Sequence, residues 1–164
     1  MTGEPRRYRL GIVLGLLVLM HFSIRPWLGN PRWAPDFMML ALMTFAIRAR
    51  PGHAAVGGFV VGIIGDALAE GAFGAGALAH TVVGYLQAWG KDVFFPDNYL
   101  VNAGFFFAGV WIRDLLVLLA SGRVGAEALL LHLATWSLLL ALTTTLAGLV
   151  LMALFRDWLR IGPN

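Results

Sequence analysis

Ionisable side chains interrupt the long apolar stretches of this 164-residue chain. A charged group inside an apolar helix is costly, so its presence there predicts either a functional site or a buried structural pair. Arg113 is the most demanding member, because a guanidinium keeps its proton and needs a carboxylate, a carbonyl oxygen or water beside it. The candidate cluster consists of Asp36, Asp66, Arg113, Asp114, His21 and His132.

Residues that could perform covalent or metal chemistry are sparse. The chain has no cysteine, which excludes thiolate catalysis and cysteine-based metal sites. The histidines are 27 to 52 residues apart, and the sequence contains neither an H-E-x-x-H motif nor a P-loop. No serine lies in a G-x-S-x-G motif. A catalytic pair formed by a serine and a histidine on two different helices stays open as an alternative. We expect no catalytic residues, no metal and no cofactor.

The composition indicates a lipid environment for most of the chain. Hydrophobic residues make up 59% and charged residues 13% of it, whereas a soluble domain has roughly 45–50% apolar and about 25% charged residues. The net charge is +3, but the cations lie in short gaps between apolar stretches. That arrangement is typical of membrane orientation signals and not of a nucleic-acid surface. We therefore expect membrane lipid as a partner and no nucleic acid.

Six apolar stretches predict the elements that must position these side chains. They cover residues 10–28, 35–47, 54–69, 72–89, 99–120 and 128–155. Crossing the hydrocarbon takes about 20 helical residues, so the short second stretch is expected to be tilted or partly buried. The basic N-terminus and the apolar run after it are interpreted as an uncleaved first helix. The sequence thus predicts a single polytopic membrane domain over 1–164, an all-α integral membrane protein with a compact bundle of about six transmembrane helices.

The loop cations predict the orientation of this bundle. With both termini in the cytoplasm, eight Lys and Arg residues lie on the inner side and three on the outer side, which follows the positive-inside rule. The inner set is Arg6, Arg7, Arg9, Arg48, Arg50, Lys91, Arg156 and Arg160, and the outer set is Arg25, Arg32 and Arg123. This threading places the candidate cluster in the outer half of the membrane.

Three interpretations of the cluster are open from the residues alone. Arg113 has a depth similar to that of Asp66 and Asp36, so it could form a buried ion pair with one of them that fixes helix packing. The cluster could instead hold a ligand or a partner helix, or carry a proton or ion path. We expect Asp114 to respond weakly, since consecutive helical residues point about 100° apart around the axis.

Small residues form a stripe on each of two predicted helices. The members are Gly58, Gly62 and Gly65 on the third helix, and Gly76, His80 and Gly84 on the fourth. Small residues let two backbones approach closely where lipid supplies no hydrophobic drive. We expect these faces to serve either packing inside the bundle or contact with a helix of another protein.

Several motifs between residue 35 and about residue 120 resemble those of the bacterial rod shape-determining MreD family. They are the Pro-Asp pair that opens the apolar segment 35–40, the Arg-x-Arg-Pro turn at 48–51, the glycine-rich segment 57–66 that ends in Asp66, the pair Gly71 and Gly74, and the Val-Gly-Tyr sequence at 83–85. The length and the six-span layout are similar too. About half of the chain carries the resemblance.

The resemblance implies a non-enzymatic membrane scaffold of the cell-elongation complex, or elongasome, which supports peptidoglycan synthesis and cell-shape control. The implied partners are the single-span protein MreC, through a transmembrane helix, and, directly or indirectly, MreB, RodA and a class B penicillin-binding protein. The implied location is the bacterial cytoplasmic (inner) membrane. The implied fold is that of the S components of energy-coupling-factor (ECF) transporters, which leaves open an alternative function as a vitamin-binding transporter subunit.

Overall fold

The computed structural model describes residues 4–30, 32–68, 72–90, 98–122 and 125–155, with side chains from Tyr8 onward. Within these ranges the chain forms helices and connecting turns, without a strand. The helices are α1 (Glu4–Ser23), α2 (Phe37–Ala46), α3 (Pro51–Leu68), α4 (Ala75–Gly90), α5 (Tyr99–Ser121) and α6 (Ala126–Leu154). Of the cations used to predict orientation, Lys91, Arg123, Arg156 and Arg160 lie outside the described residues, as do the side chains of Arg6 and Arg7.

Helix ends follow local chemistry. The predicted stretch 10–28 divides in two, because α1 ends at Ser23 and a short 3-10 turn forms over Arg25–Leu28, where Pro26 lacks the N–H that an α-helix would use. Proline opens α3 at Pro51, a position where that missing N–H is harmless. Gly122 ends α5 with a φ of 61°, a left-handed conformation that glycine adopts without strain.

Helices differ in whether they could cross a membrane on their own. By length and apolar composition, α3, α5 and α6 are long enough, and α1 from Tyr8 and α2 are apolar but shorter. The ten residues of α2 rise about 15 Å, roughly half the thickness of the hydrocarbon core. Three candidate spans are therefore present among the described residues.

The short helix α2 is the centre of the molecule. Nine of its ten residues are buried, and it contacts α1, α3, α4, α5 and the second part of α6. A helix that is surrounded on all sides has no polar face, which explains why 37–46 is apolar except for the buried Thr44. Its side chains form the main core together with Val13, Leu17, Phe106 and Val110.

The hairpin of α3 and α4 is the closest helix pair. A Cβ added to Gly62 would meet the backbone of Gly76 and Ala77, and one added to Gly58 would meet the carbonyl group of His80. Packing of this kind needs glycine, because two backbones touch with no side chain between them. Four of the predicted stripe residues thus face the interior of the hairpin, namely Gly58, Gly62, Gly76 and Gly84.

Gly65 does not take part in this packing. A Cβ at that position would have nothing within 4 Å. Gly65 therefore does not pack inside the bundle with Gly58 and Gly62, and for this residue the other expectation, contact with a helix of another protein, stays a prediction. The remaining stripe residue, His80, is buried in α4, and its Nδ1 lies 2.7 Å from the carbonyl oxygen of Gly76.

A π-helical turn interrupts α6. Residues Ala126–His132 are α-helical, Leu133–Ser137 form the π-helical turn, and the α-helix resumes over Leu138–Leu154. A π-helical turn holds one extra residue, so it rotates the side chains that follow it relative to those before it. The packed side of α6 begins in this turn, where Leu133 and Ser137 are buried, and continues after it with Leu140, Ala141, Thr144 and Leu151.

Candidate functional site

Arg113 lies between two buried carboxylates. Its Nη2 donates to Oδ2 of Asp36, at the start of α2, and its Nη1 donates to Oδ1 of Asp114 at 2.7 Å. The three side chains are at most 14% exposed. One cation thus faces two anions, and hydrogen bonds to charged groups are the strong ones in a setting with little water.

Asp36 also organises the beginning of α2. Its Oδ1 accepts the backbone N–H of Met39 at 3.0 Å, and its own backbone N–H donates to Oγ1 of Thr144 at 3.0 Å. The first N–H groups of a helix have no partner within that helix. Asp36 is therefore both the cap of α2 and one partner of an ion pair. These two roles explain why an acidic residue stands directly before an apolar helix.

His21 supplies a second cap for the same helix end. Its Nδ1 accepts the backbone N–H of Met38 at 3.1 Å and lies 3.4 Å from Oδ1 of Asp36. A nitrogen that accepts from Met38 has no proton to give to Asp36. We assign the shorter contact as the hydrogen bond and His21 as the neutral tautomer with its proton on Nε2.

Asp114 connects α5 to the π-helical turn of α6. Its Oδ2 accepts the Ser137 hydroxyl at 2.7 Å and lies 4.0 Å from Nε2 of His132. One turn away, Nε1 of Trp111 donates to the carbonyl oxygen of Leu133 at 3.2 Å. Although consecutive helical residues point about 100° apart, the long side chain of Arg113 reaches the carboxylate of Asp114; the weak response of Asp114 to substitution stays a prediction.

We call this set of residues the Arg113 network. Its members are His21, Asp36, Arg113, Asp114, His132 and Ser137. It joins α1, α5 and α6 around the start of α2. Ser137 and the supporting hydroxyl of Thr144 were not among the residues predicted for the cluster. Each is a hydroxyl residue within a leucine-rich stretch, and a polar residue in such apolar surroundings is the signal that could have identified both.

Asp66 does not belong to the Arg113 network. Its carboxylate accepts the backbone N–H groups of Gly74 at 2.8 Å, Gly76 at 3.0 Å and Ala77 at 3.0 Å. Of the two alternative partners predicted for Arg113, Asp36 is the one in contact with it, whereas Asp66 is engaged by the N–H groups at the start of α4, which have no partner within their helix. A Cβ on Gly76 would collide with the Asp66 carboxylate, so the glycine makes room for this cap.

The arrangement of the network does not match a hydrolase. In a Ser-His-Asp triad the histidine lies between the other two and takes the serine proton. Here the Ser137 hydroxyl donates directly to Oδ2 of Asp114, and His132 approaches the same oxygen at 4.0 Å, so the carboxylate and not the histidine accepts the serine proton's hydrogen bond. Among the described residues no group of three or more His, Asp or Glu side chains could hold a metal ion. What the network does is neutralise charge and join helices.

Comparison with protein families relates the chain to known proteins. The family model described as rod shape-determining protein MreD matches residues 7–160, nearly the whole chain. Neither the curated proteins nor the solved structures contain a significant match. The family is one of structural, shape-determining proteins and gives no support to the vitamin-transporter alternative. Together with its apolar helices, the match over residues 7–160 shows that this chain is a membrane protein of the rod shape-determining MreD family.

Proposed function

We propose that this chain is a non-enzymatic scaffold subunit of the cell-elongation complex in the cytoplasmic membrane, where it supports peptidoglycan synthesis. The match to the MreD family over residues 7–160 carries the proposal. The internal pairing of the Arg113 network supports it, because Asp36 and Asp114 both accept hydrogen bonds from Arg113. Carboxylates held in this way fix the relative positions of helices and are poorly suited to activate a substrate.

The proposed architecture is a single domain over 1–164 with six helices in the membrane and an S-component-like fold. Three helices have full spanning length; the shorter α4 packs against α3 and α5, and α1 packs against α2. The central position of α2 supports its place within the membrane, since protein and not lipid surrounds it. The excess of cations on one side of this threading supports an orientation with both termini in the cytoplasm.

The orientation can be tested with a reporter fused after Asn164. We expect a cytoplasm-active reporter to function there, because six crossings return the chain to the side on which it began. The matched control is the same reporter inserted after Asn30, which the threading places outside. Activity of a periplasm-specific reporter at Asn164 would contradict the proposed position of the C-terminus in the cytoplasm.

The proposed binding surface for the transmembrane helix of MreC is one face of α1. Val13 and Leu17 are the buried residues of α1, and its main neighbour is α2. Gly11 and Gly15 precede them by two positions, about 160° away around the helix axis. A Cβ on either glycine would have nothing within 4 Å. A small-residue face that points away from the bundle suits close approach of another helix. Contacts with MreB, RodA and the class B penicillin-binding protein are proposed as direct or indirect.

Substitution of these glycines tests the docking proposal. We expect Gly11→Leu and Gly15→Leu to leave the amount of protein in the membrane unchanged, because at both positions an added Cβ meets nothing within 4 Å. Co-purified MreC should fall about tenfold, since a lost close helix contact of about 1.4 kcal/mol corresponds to that factor. The measurement is the ratio of MreC to this protein after affinity purification.

Gly104→Leu is the matched control for this experiment. Gly104 is an exposed helical glycine of α5, and it too has nothing within 4 Å of an added Cβ. That variant should keep its MreC. An unchanged MreC ratio in both Gly11→Leu and Gly15→Leu would exclude the α1 face as the binding surface.

A further inference from the structure

The first two turns of α6 are held differently from the rest of that helix. We call Ala126–His132 the α6 arm. It contains no buried residue, and Leu130 and Leu131 within it are 68% and 60% exposed. The part of α6 after the π-helical turn buries residues along most of its length. Side-chain packing therefore fixes the position of the second part of α6 and contributes little to that of the arm.

Polar contacts with α5 fix the junction between these two parts. The Trp111 indole donates to the carbonyl oxygen of Leu133, the first residue of the π-helical turn. The Ser137 hydroxyl, on its last residue, donates to Asp114. His132, the last residue of the arm, lies 4.0 Å from the same carboxylate oxygen. The guanidinium of Arg32 also lies over the Trp136 ring of this turn, 5.0 Å from its centroid, whereas the contacts with α5 converge on Asp114 and its neighbourhood.

A π-helical turn at such a junction can change its register. It contains one residue more than an α-helical turn, and conversion to α-helix rotates and shifts the segment on one side of it. The packed side of α6 cannot rotate without exposing its core residues. The arm has no core residues to expose, so the movement falls to the arm. Leu133 and Ser137 would have to leave Trp111 and Asp114 for it to occur.

We propose that the π-helical turn Leu133–Ser137 is a hinge, that Asp114 is its latch, and that release of the latch swings the α6 arm and opens the Arg113–Asp114 pair to the surroundings. The proposal concerns the chain by itself and goes beyond its role as a scaffold. It predicts two positions of the arm: the latched one seen here, and a second one that loss of the Asp114 contacts populates.

Distances between pairs of spin labels test the hinge in the full-length protein. The chain has no cysteine, so introduced cysteines are the only labelled sites. Ile64→Cys on α3 is the reference, Leu130→Cys reports on the arm, and Leu142→Cys reports on the packed part of α6; all three positions are exposed. In lipid nanodiscs, Asp114→Asn should broaden the 64–130 distance distribution about twofold or add a second distance, and leave the 64–142 distribution unchanged.

Two further variants keep this test decisive. Ser137→Ala removes a single latch hydroxyl and should give the same change at 64–130 to a smaller extent, even if Asp114→Asn lowers the yield. Thr143→Ala is the control, because the Thr143 hydroxyl bonds only to carbonyl oxygens of its own helix, at Leu139 and Leu140, and it should leave both distributions unchanged. An unchanged 64–130 distribution in both latch variants would overturn the hinge, as would equal broadening of both pairs.

Discussion

Arg113→Gln should destabilise this protein more than the loss of either of its carboxylate partners. The substitution leaves Asp36 and Asp114 buried without their shared cation, whereas Asp36→Asn leaves Arg113 still paired with Asp114. Removing one member of a buried ion pair costs about 3–5 kcal/mol, because an uncompensated charge is left behind. We expect at least that loss for Arg113→Gln, measured as the free energy of unfolding in detergent micelles or bicelles.

Double substitutions identify the partners of Arg113. Asp36→Asn combined with Arg113→Gln should be more stable than Arg113→Gln alone, since one stranded charge has been removed. Adding Asp114→Asn should recover more. Asp66→Asn is the matched control, because Asp66 binds backbone N–H groups of the α4 start, and its effect should add to that of Arg113→Gln. Strict additivity for Asp36 as well would contradict the pairing.

Gly62→Ala should prevent the α3–α4 hairpin from closing. The added Cβ would lie 2.5 Å from the carbonyl oxygen of Gly76 and 2.6 Å from the N atom of Ala77. Overpacking typically costs about 1–3 kcal/mol when side chains can move aside. Here the obstructing atoms are backbone, so the helices themselves must separate, and we expect a loss at or above the top of that range. The readouts are the amount of protein in the membrane and its melting temperature in detergent.

Gly65→Ala is the matched control for this substitution. It makes the same chemical change on the same helix, three residues further along, where an added Cβ meets nothing within 4 Å. Alanine is favoured over glycine within a helix by about 0.5–1 kcal/mol, so this variant should be as stable as the wild type or more so. Equal stability of Gly62→Ala and the wild type would mean that the two helices are not in backbone contact.

The helices could be predicted from the sequence because helices that face lipid are apolar along their whole length. The short stretch 35–47 predicts a tilted or partly buried helix, and α2 has ten residues, nine of them buried. Its central position was not predictable, because a helix surrounded by protein and one surrounded by lipid have the same apolar composition. The apolar composition therefore indicates where helices lie in the sequence, but it does not indicate which helix the others enclose.

The site was only partly predictable for a related reason. Depth along a helix suggested that Asp36 and Asp66 were equivalent candidates for Arg113. What separates them is local: Asp66 lies where the start of α4 offers it three backbone N–H groups, a geometry set by the turn before that helix. The π-helical turn was equally hidden, because no residue type marks its position in 128–155, and it changes which residues of α6 face Asp114.

The separation of contacting residues along the chain has a consequence for the order of assembly. Helices α3 and α4 are neighbours in sequence, so their glycine-lined contact can form before α5 has been synthesised. Asp36 is different, because Arg113 follows it by 77 residues and Thr144 by 108. A carboxylate near the start of the chain must therefore wait for most of the protein to be made before its partners arrive. During synthesis, the incomplete bundle holds an acidic group without its cation, and closure of the Arg113 network belongs to the last steps of folding.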